Sequence, residues 1–277
     1  MKLKYLGTAA AEGFPAVFCA CETCQKTWKL GGKNMRTRSQ ALVGQDMLID
    51  LPADTYYHTM THGIDLLNIH YCLITHVHED HCYLCDLDFL RKGFSHPPEG
   101  WEGITVYGSS DVEQEFAKVI GEGIVKEWLR FVKLELFVPT QMGRYTVTAL
   151  KARHGTAHPY IYLIDDGKSA LLYAHDTDIF PEETWEYLER VKPHLDLVSM
   201  DCTEGAMEDI PYPGHMCLGR NRRCRERLLE IGVADETTKF VLNHFSHNGQ
   251  LAAYDDFAPI AEQERFVTSY DGMELEF

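Results

Sequence analysis

The stretch Thr75-His76-Val77-His78-Glu79-Asp80-His81 decides the fold of this chain. It follows an apolar, strand-like segment and precedes a predicted helix that begins near Tyr83. His76 and His78 are two residues apart, so in an extended loop both rings point to one side. Asp80 and His81 lie at the turn into the helix and reach a second position nearby. Three imidazoles and one carboxylate match the ligand preferences of Zn²⁺, Mn²⁺ and Fe²⁺, so the stretch predicts a metal site.

The charge of the chain argues against long polyanionic partners. Its 277 residues include 42 acidic and 26 basic side chains, which give a formal net charge of −16. The densest basic stretch, Arg220–Arg227, is interpreted as a solvated helix face. Nucleic-acid binding needs a basic surface, so small substrates fit better.

The sequence contains no apolar run of the roughly 20 residues that span a bilayer. Met1–Gly7 is interpreted as a first strand rather than as a signal peptide, and we expect a cytoplasmic protein without membrane contact. Nine cysteines, an odd number, favour metal binding or burial over a disulfide framework. The cysteines expected to be buried in the core are Cys72, Cys202, Cys217 and Cys224.

Strand-like and helix-like segments alternate in both halves of the chain. This pattern predicts two packed sheets with helices outside, a four-layer α/β sandwich in one domain over residues 1–277. The Asp165–Lys168 and Asp271-Gly272 segments have hairpin chemistry. The main predicted strands are Lys2–Leu6, Ala41–Asp50, Tyr71–Thr75, Ile104–Tyr107, Phe131–Val138, Tyr145–Ala152, Tyr160–Ile164, Ala170–Ala174, Leu195–Asp201, Lys239–Asn243, Phe266–Tyr270 and Met273–Phe277. The predicted helices are Ser110–Glu122, Pro181–Val191, Met216–Ile231 and Gln250–Gln263.

The pattern His76-x-His78-x-Asp80-His81 resembles the signature of the metallo-β-lactamase superfamily. The resemblance implies an αββα sandwich with a dinuclear metal site between the sheet edges. Asp50 is similar to an early family aspartate that supports this site through hydrogen bonds, although Leu51-Pro52 replaces the small residues usual after it.

The same resemblance implies the remaining ligands, which follow predicted strands in the second half. His154, Asp176 and His244 match the later family positions, with Asp176 as the bridging carboxylate. His158 is an alternative ligand, but family spacing favours His154. Imidazole and carboxylate ligands do not select strongly among Zn²⁺, Mn²⁺ and Fe²⁺. The implied sets are His76, His78, His154 and Asp176 for one ion, and Asp80, His81, Asp176 and His244 for the other.

A second metal site is predicted at residues 19–24, where Cys19, Cys21 and Cys24 occur within six residues of a polar loop. A closed tetrahedral zinc site needs a fourth ligand, and His247 is a plausible donor. Cys82 and Cys85 also form a Cys-x-x-Cys pattern, but they lack a redox context and are interpreted as packing residues.

The cysteine loop and the late His244-x-x-His247 pair resemble those of the phosphoribosyl cyclic phosphodiesterases of bacterial phosphonate degradation. In that group the first His of the pair binds the catalytic metals and the second completes a structural zinc. His215, in Gly214-His215-Met216, is similar to the family histidine beside the scissile phosphate; the alternative is a helix cap.

The predicted activity is therefore metal-dependent hydrolysis of a small, cyclic phosphodiester. Two divalent ions (Mn, Zn or Fe) activate water, Asp80 and His215 act at the catalytic centre, and one zinc is structural. Alternatives are a tRNA 3′-processing endonuclease, a lactonase or β-lactamase, and a non-catalytic binding protein on the same scaffold. A homodimer is left open.

Overall fold

The computed structural model describes residues 1–121 and 123–277. These residues form two seven-stranded sheets packed face to face, with helices on the outer faces. The predicted four-layer α/β sandwich is confirmed.

The strands divide between the sheets almost in chain order. The first sheet contains β1 (Lys2–Gly7), β2 (Gln40–Val43), β3 (Met47–Ile49), β4 (Tyr71–Leu73), β5 (Ile104–Gly108) and β6 (Leu129–Lys133). The second contains β7 (Pro139–Met142), β8 (Tyr145–Lys151), β9 (Tyr160–Asp165), β10 (Ala170–Ala174), β11 (Leu197–Asp201), β12 (Lys239–Asn243) and β13 (Val267–Thr268), and β14 (Glu274–Glu276) returns to the first. The α-helices are α1 (Glu22–Leu30), α2 (Thr55–His62), α3 (Ser110–Val119), α4 (Glu182–Val191), α5 (Leu218–Glu230) and α6 (Tyr254–Gln263), and 3₁₀ turns span Gly32–Asn34, Leu66–Asn68 and Leu84–Phe89.

Three apolar clusters hold the layers together. Tyr5, Tyr145 and Tyr162 are fully buried between the two sheets. Trp185 of α4 and Phe257 of α6 fill the outer layer over the second sheet. Each large side chain buried in this way contributes about 1.5–3 kcal/mol, so the layers are held mainly by apolar area.

Parallel pairing brings the loops that follow the strands to one edge. β10, β11 and β12 are mutually parallel in the second sheet, as are β3, β4 and β5 in the first. The carboxyl ends of neighbouring parallel strands meet at the same edge, and loops at such an edge are displayed on a rigid scaffold.

One strand prediction and one turn prediction are wrong. Ala41–Asp50 is not one strand but the hairpin β2–β3, because Gly44 adopts a left-handed φ of 61° and reverses the chain. Asp271-Gly272 does not close a hairpin, because the strands on either side of it, β13 and β14, lie in different sheets. The Asp165–Lys168 hairpin between β9 and β10 is confirmed.

Other element boundaries also differ from the predictions. The strand predicted at Phe131–Val138 ends at Lys133, and helices α1 and α2 were not predicted at all. Helix α3 ends at Val119, while the predicted end, Glu122, lies outside the described residues. Helices α5 and α6 begin later than predicted, at Leu218 and Tyr254. Within the described ranges, every helix is too short or too polar to cross a membrane.

Candidate metal centre

The predicted ligands converge at one edge of the sandwich, each just beyond the end of a strand. The loop after β4 carries His76, His78, Asp80 and His81. From the second sheet, His154 follows β8, Asp176 follows β10 and His244 follows β12. Side chains separated by up to 168 positions in the sequence therefore meet between the two sheets.

The first set consists of His76, His78, His154 and Asp176, whose ligand atoms all lie within 4.8 Å of one another. Nε2 of His76 lies 2.9 Å from Nδ1 of His78 and 3.2 Å from Oδ2 of Asp176. Nε2 of His154 lies 3.1 Å from Nδ1 of His78. The predicted alternative, His158, is exposed and instead pairs with Asp111 at 2.9 Å, so the structure brings His154 to the site and not His158.

The second set consists of Asp80, His81, Asp176 and His244, and all four residues are buried. Nε2 of His81 lies 3.1 Å from Oδ2 of Asp80, 2.9 Å from Oδ2 of Asp176 and 3.3 Å from Nε2 of His244. Oδ2 of Asp176 is therefore close to both sets, which places this carboxylate between them.

The hydrogen bonds of the second set leave lone pairs facing each other. Nδ1 of His81 donates to Asp50, so in the neutral ring Nε2 carries a lone pair. Thr203 donates its hydroxyl proton to Asp201, so Nδ1 of His244 donates to Thr203 and its Nε2 is also an acceptor. Two ring nitrogens and two carboxylate oxygens thus converge without a donor, and a divalent cation satisfies all four. The residues fit a metal ion.

The electrostatics of the set agree with this geometry. Burial opposes a charge on His81, but Asp50, Asp80 and Asp176 outweigh it and raise the pKa of His81 well above its usual range. Burial also opposes ionisation of Asp176, yet His244 and His81 hold the pKa of this carboxyl well below its usual value. The cluster therefore attracts positive charge at its centre.

Three residues of this region have left-handed backbone conformations. Asp50, Asp176 and His244 have φ values of 66°, 48° and 63°. Such a conformation in a non-glycine residue costs about 1–3 kcal/mol and is found most often at functional sites. Here it turns the chain sharply at the ends of β3, β10 and β12 and directs the side chains into the gap between the sheets.

His215 joins the centre from the loop before α5. Its Nδ1 lies 3.2 Å from Oδ1 of Asp176 and 3.2 Å from Oδ2 of Asp201. Burial disfavours the charged ring, but the two carboxylates outweigh it and raise the pKa of His215 to about 11. His215 does not cap α5, which begins at Leu218 after Cys217.

Asp201 and Thr203 are functional candidates that the sequence analysis missed. Asp201 is fully buried and accepts hydrogen bonds from the backbone N–H groups of Thr203 and Met216 in addition to contacting His215. Thr203 links this carboxylate to His244. The only signal in the sequence is their position at the end of an apolar strand, with Asp201 as its last residue and Thr203 two positions later.

Arg220 of α5 fastens the loop that carries His215. Its guanidinium donates to Oδ1 of Asp178 at 2.8 Å and to the backbone carbonyls of Ile210, Tyr212 and His215 at 2.5–3.2 Å. The side chain is only 11% exposed. The prediction that Arg220–Arg227 is simply a solvated face is wrong for this residue, because its charge is used inside the loop.

The cysteine loop also forms a cluster. Cys19, Cys21, Cys24 and His247 each offer an atom within 4.8 Å of the others. Nδ1 of His247 lies 3.6 Å from Sγ of Cys19 and 3.4 Å from Sγ of Cys21. The backbone N–H of Cys24, with His247, lowers the pKa of Cys21 to about 6, which favours a thiolate. Three thiols and one imidazole match a tetrahedral zinc site.

The other cysteines behave mainly as predicted. Cys72, Cys202, Cys217 and Cys224 are buried in the core, and Cys82 packs beneath the first sheet. Cys85 is exposed, so its interpretation as a packing residue is wrong: the 3₁₀ turn at Leu84–Phe89 places it on the outer side.

A cavity of about 330 Å³ opens onto both ligand sets. Among the described residues its lining includes no Lys or Arg. The lining is formed by Ala10, Ala11, Glu12, His78, Asp80, His154, Asp176, Thr203, Glu204, His215, His244, Ser246 and Asn248.

The chain matches a known sequence family over most of its length. The family described as the beta-lactamase superfamily domain matches residues 48–245, which include both ligand sets. No curated protein sequence matches the chain.

Solved structures share the fold at low sequence identity. The chain is similar to a diphosphatase from the PhnP family, with a TM-score of 0.75 and 21% identity over 100% of this chain and 97% of that one. It is also similar to Zn²⁺-bound PqqB from Methylobacterium extorquens, with a TM-score of 0.76 and 17% identity over 100% of both chains. The short form of human tRNase Z gives a TM-score of 0.65 and 16% identity over 100% of this chain and 99% of that one.

Proposed function

The chain belongs to the β-lactamase superfamily and has the metallo-β-lactamase fold of a hydrolase, and we propose that it hydrolyses a small cyclic phosphodiester. The observation that carries the proposal is the convergence of His215 and both ligand sets on one cavity. Two divalent ions bound by these sets would supply the positive charge that activates water and stabilises the charge developing on the phosphoryl group.

Residues of the chain itself have separate tasks in this reaction. The residues that would hold the ions are His76, His78, His154, Asp80, His81, Asp176 and His244. Asp80 lines the cavity, and its carboxylate orients the attacking water by a hydrogen bond. His215 gives a proton to the departing alkoxide, which would otherwise leave as a strong base. Asp201 and Thr203 hold the His215 ring and the His244 ring in place.

The size and charge of the cavity support a small substrate. A volume of about 330 Å³ is at the lower end for ligand sites, and a nucleotide-sized molecule fills it. Its described lining has no Lys or Arg side chain, and the whole chain carries a net charge of −16. Both features disfavour a long nucleic acid, which binds through many Lys and Arg contacts. A tRNA-processing endonuclease is therefore the weaker proposal.

A hydrolysis panel tests the proposal. The protein is loaded with Mn²⁺, Zn²⁺ or Fe²⁺ and assayed with bis(p-nitrophenyl) phosphate, ribose 1,2-cyclic phosphate and 2′,3′-cyclic nucleotides. A diphosphate ester, a lactone and a tRNA precursor represent the competing activities. We expect the cyclic phosphodiesters to have the highest kcat/KM. A higher kcat/KM for the diphosphate ester, the lactone or the tRNA precursor would overturn the proposal. Binding of a cyclic phosphodiester without hydrolysis would also overturn it.

The diphosphate ester has its own place in the panel because a similar structure is described as a diphosphatase. Cleavage of a diphosphate ester produces two phosphate groups, and a cyclic phosphodiester opens to a single monoester. Phosphorus NMR of the products separates the two reactions directly.

A further inference from the structure

Glu12, in the loop between β1 and α1, touches both the catalytic cavity and the segment that follows β12. Its side chain lines the cavity together with Asp80 and His244. The hydroxyl of Ser246 donates to Oε1 of Glu12 at 2.5 Å. The contact joins positions 234 residues apart, so it fixes the N-terminal loop against the end of the second sheet.

The same carboxylate faces His247 of the cysteine cluster. Oε1 of Glu12 lies 3.6 Å from Nε2 of His247, while Nδ1 of that ring faces the thiols of Cys19 and Cys21. If Nδ1 binds a metal ion, Nε2 must carry the ring proton, and the Glu12 carboxylate is at ion-pair distance from this nitrogen. A carboxylate behind a metal-binding histidine fixes the orientation of the ring and strengthens it as a ligand.

Backbone hydrogen bonds tie the two segments together beside the catalytic ligand. The N–H of Ala10 donates to the carbonyl of Phe245 at 3.0 Å, and the N–H of Phe245 donates to the carbonyl of Thr8 at 3.0 Å. His244 precedes Phe245 directly. A change in the position of the cysteine loop is therefore transmitted to the wall of the cavity through Glu12 and to the catalytic ligand through the backbone.

We propose that Glu12 is a positioning residue that couples metal occupancy of the Cys19–Cys21–Cys24–His247 cluster to ligand binding in the catalytic cavity. The inference rests on the proposed function for the identity of the catalytic centre. It gives the cysteine cluster a regulatory role: loss of its metal releases His247, frees Glu12 and weakens substrate binding while the sandwich stays folded.

Cobalt absorption measures the first half of this coupling without any substrate. The catalytic ligand sets contain only His and Asp, whereas the cysteine cluster offers thiolates. The thiolate-to-Co²⁺ charge-transfer band therefore reports on the cysteine cluster alone. We expect Glu12→Ala to weaken Co²⁺ binding by about 10–100-fold, as loss of a carboxylate behind a metal-binding histidine does. Glu12→Gln, which still accepts the Ser246 hydroxyl, should lie between Glu12→Ala and the wild type. Glu236→Ala, at an exposed position, is the matched control and should not change the band.

Calorimetric titration with inorganic phosphate measures the second half. We expect Glu12→Ala and Cys21→Ala each to weaken phosphate binding by about 10-fold, and the double variant to be no weaker than the weaker single variant, because both act through one link. In turnover assays KM should rise more than kcat falls. Circular dichroism establishes whether each variant is folded. If Glu12→Ala does not fold, Glu12→Gln replaces it in both titrations.

Three results overturn the inference: an unchanged Co²⁺ affinity in Glu12→Ala, an unchanged phosphate affinity in that variant, or additive losses in the double variant. Failure of the proposed function would give a different result, namely the absence of phosphodiester turnover by the wild-type protein. Because the cobalt and phosphate titrations need no turnover, they decide on the coupling in either case.

Discussion

Oδ2 of Asp50 lies 2.7 Å from Nδ1 of His81, and both side chains are fully buried. The other carboxylate oxygen accepts hydrogen bonds from the backbone N–H and the hydroxyl of Thr75. Asp50 therefore holds both ends of the ligand loop that follows β4 and directs the lone pair of His81 towards the second ligand set.

Replacing Asp50 by Asn tests this support. The carboxylate accepts hydrogen bonds on both oxygens, whereas the amide has only one acceptor oxygen. The NH₂ group of the amide must therefore face a donor, either His81 or Thr75. We expect a loss of metal affinity of about 10–100-fold, measured by competition with a chromogenic chelator. Asp65→Asn, at an exposed position, should bind metal like the wild type. Equal affinities of the two variants would show that Asp50 does not support the ligand loop.

His154 and His158 form a natural pair for a ligand test. His154→Ala removes a nitrogen from the first set, and we expect kcat/KM to fall at least about 100-fold, since a missing ligand disturbs the charge that stabilises the transition state. His158→Ala removes only an exposed contact with Asp111 and should remain within about twofold of the wild type. The metal content of both variants, from mass spectrometry, is the second measurement. His78→Ala should abolish turnover with every metal.

Arg220→Lys should impair activity more than stability. The ammonium group of Lys cannot reproduce the fork that donates to Asp178 and to several loop carbonyls, so the loop carrying His215 loosens. We expect kcat to fall about tenfold, in line with loss of general acid catalysis in part of the population. Arg223→Lys, at an exposed position of the same helix, is the control. A tenfold change in KM at constant kcat would contradict this role for the loop.

Cys21→Ala should lower thermal stability because it removes a ligand from the predicted zinc cluster. We expect the Tm to fall by at least about 5 °C, which corresponds to roughly 2 kcal/mol for a chain of this size. The zinc content should fall by one ion per chain. Cys85→Ala alters an exposed thiol outside the cluster and should leave both values unchanged. An unaltered zinc content in Cys21→Ala would refute the predicted site.

Asp271 predicts a pH dependence of folding that is independent of the metal centre. Burial raises the pKa of Asp271 to about 6, even though Thr37 and Thr8 donate hydrogen bonds to it. The folded state therefore holds this proton more tightly than the unfolded chain. The contribution of Asp271 to stability is present below pH about 4 and is lost as the pH rises to about 6, by about 3 kcal/mol in total.

Urea unfolding at half-unit steps between pH 4 and pH 7 measures this contribution. Asp271→Asn cannot ionise, so the difference in unfolding free energy between the wild type and Asp271→Asn should fall through this interval. Asp65→Asn should follow the wild type in parallel. A difference that stays constant with pH, or that grows, would rule out a raised pKa at Asp271.

The sequence was sufficient for the ligand loop because its chemistry is local. His76, His78, Asp80 and His81 occur within six positions, and their spacing after a strand indicates a shared site. His154, Asp176 and His244 are single residues at strand ends, so only the family resemblance identified them. The geometry that unites them depends on the pairing of strands far apart in the chain.

The residues that were missed act through distant contacts or weak local signals. Glu12 meets Ser246 across 234 positions, and no pattern near either residue indicates the contact. Helix α2 contains Thr, Tyr and His, which have low helix propensity, and it is stabilised by its tertiary environment. Its end at Gly63, with a left-handed φ of 64°, was the only clear signal.

The left-handed turns at Asp176 and His244 have a consequence for how the centre changes its metal. Because these backbone conformations are set by the strands that precede them, the path of the chain around the gap is fixed before an ion arrives. We therefore expect the exchange of one divalent ion for another to leave the course of this backbone unchanged.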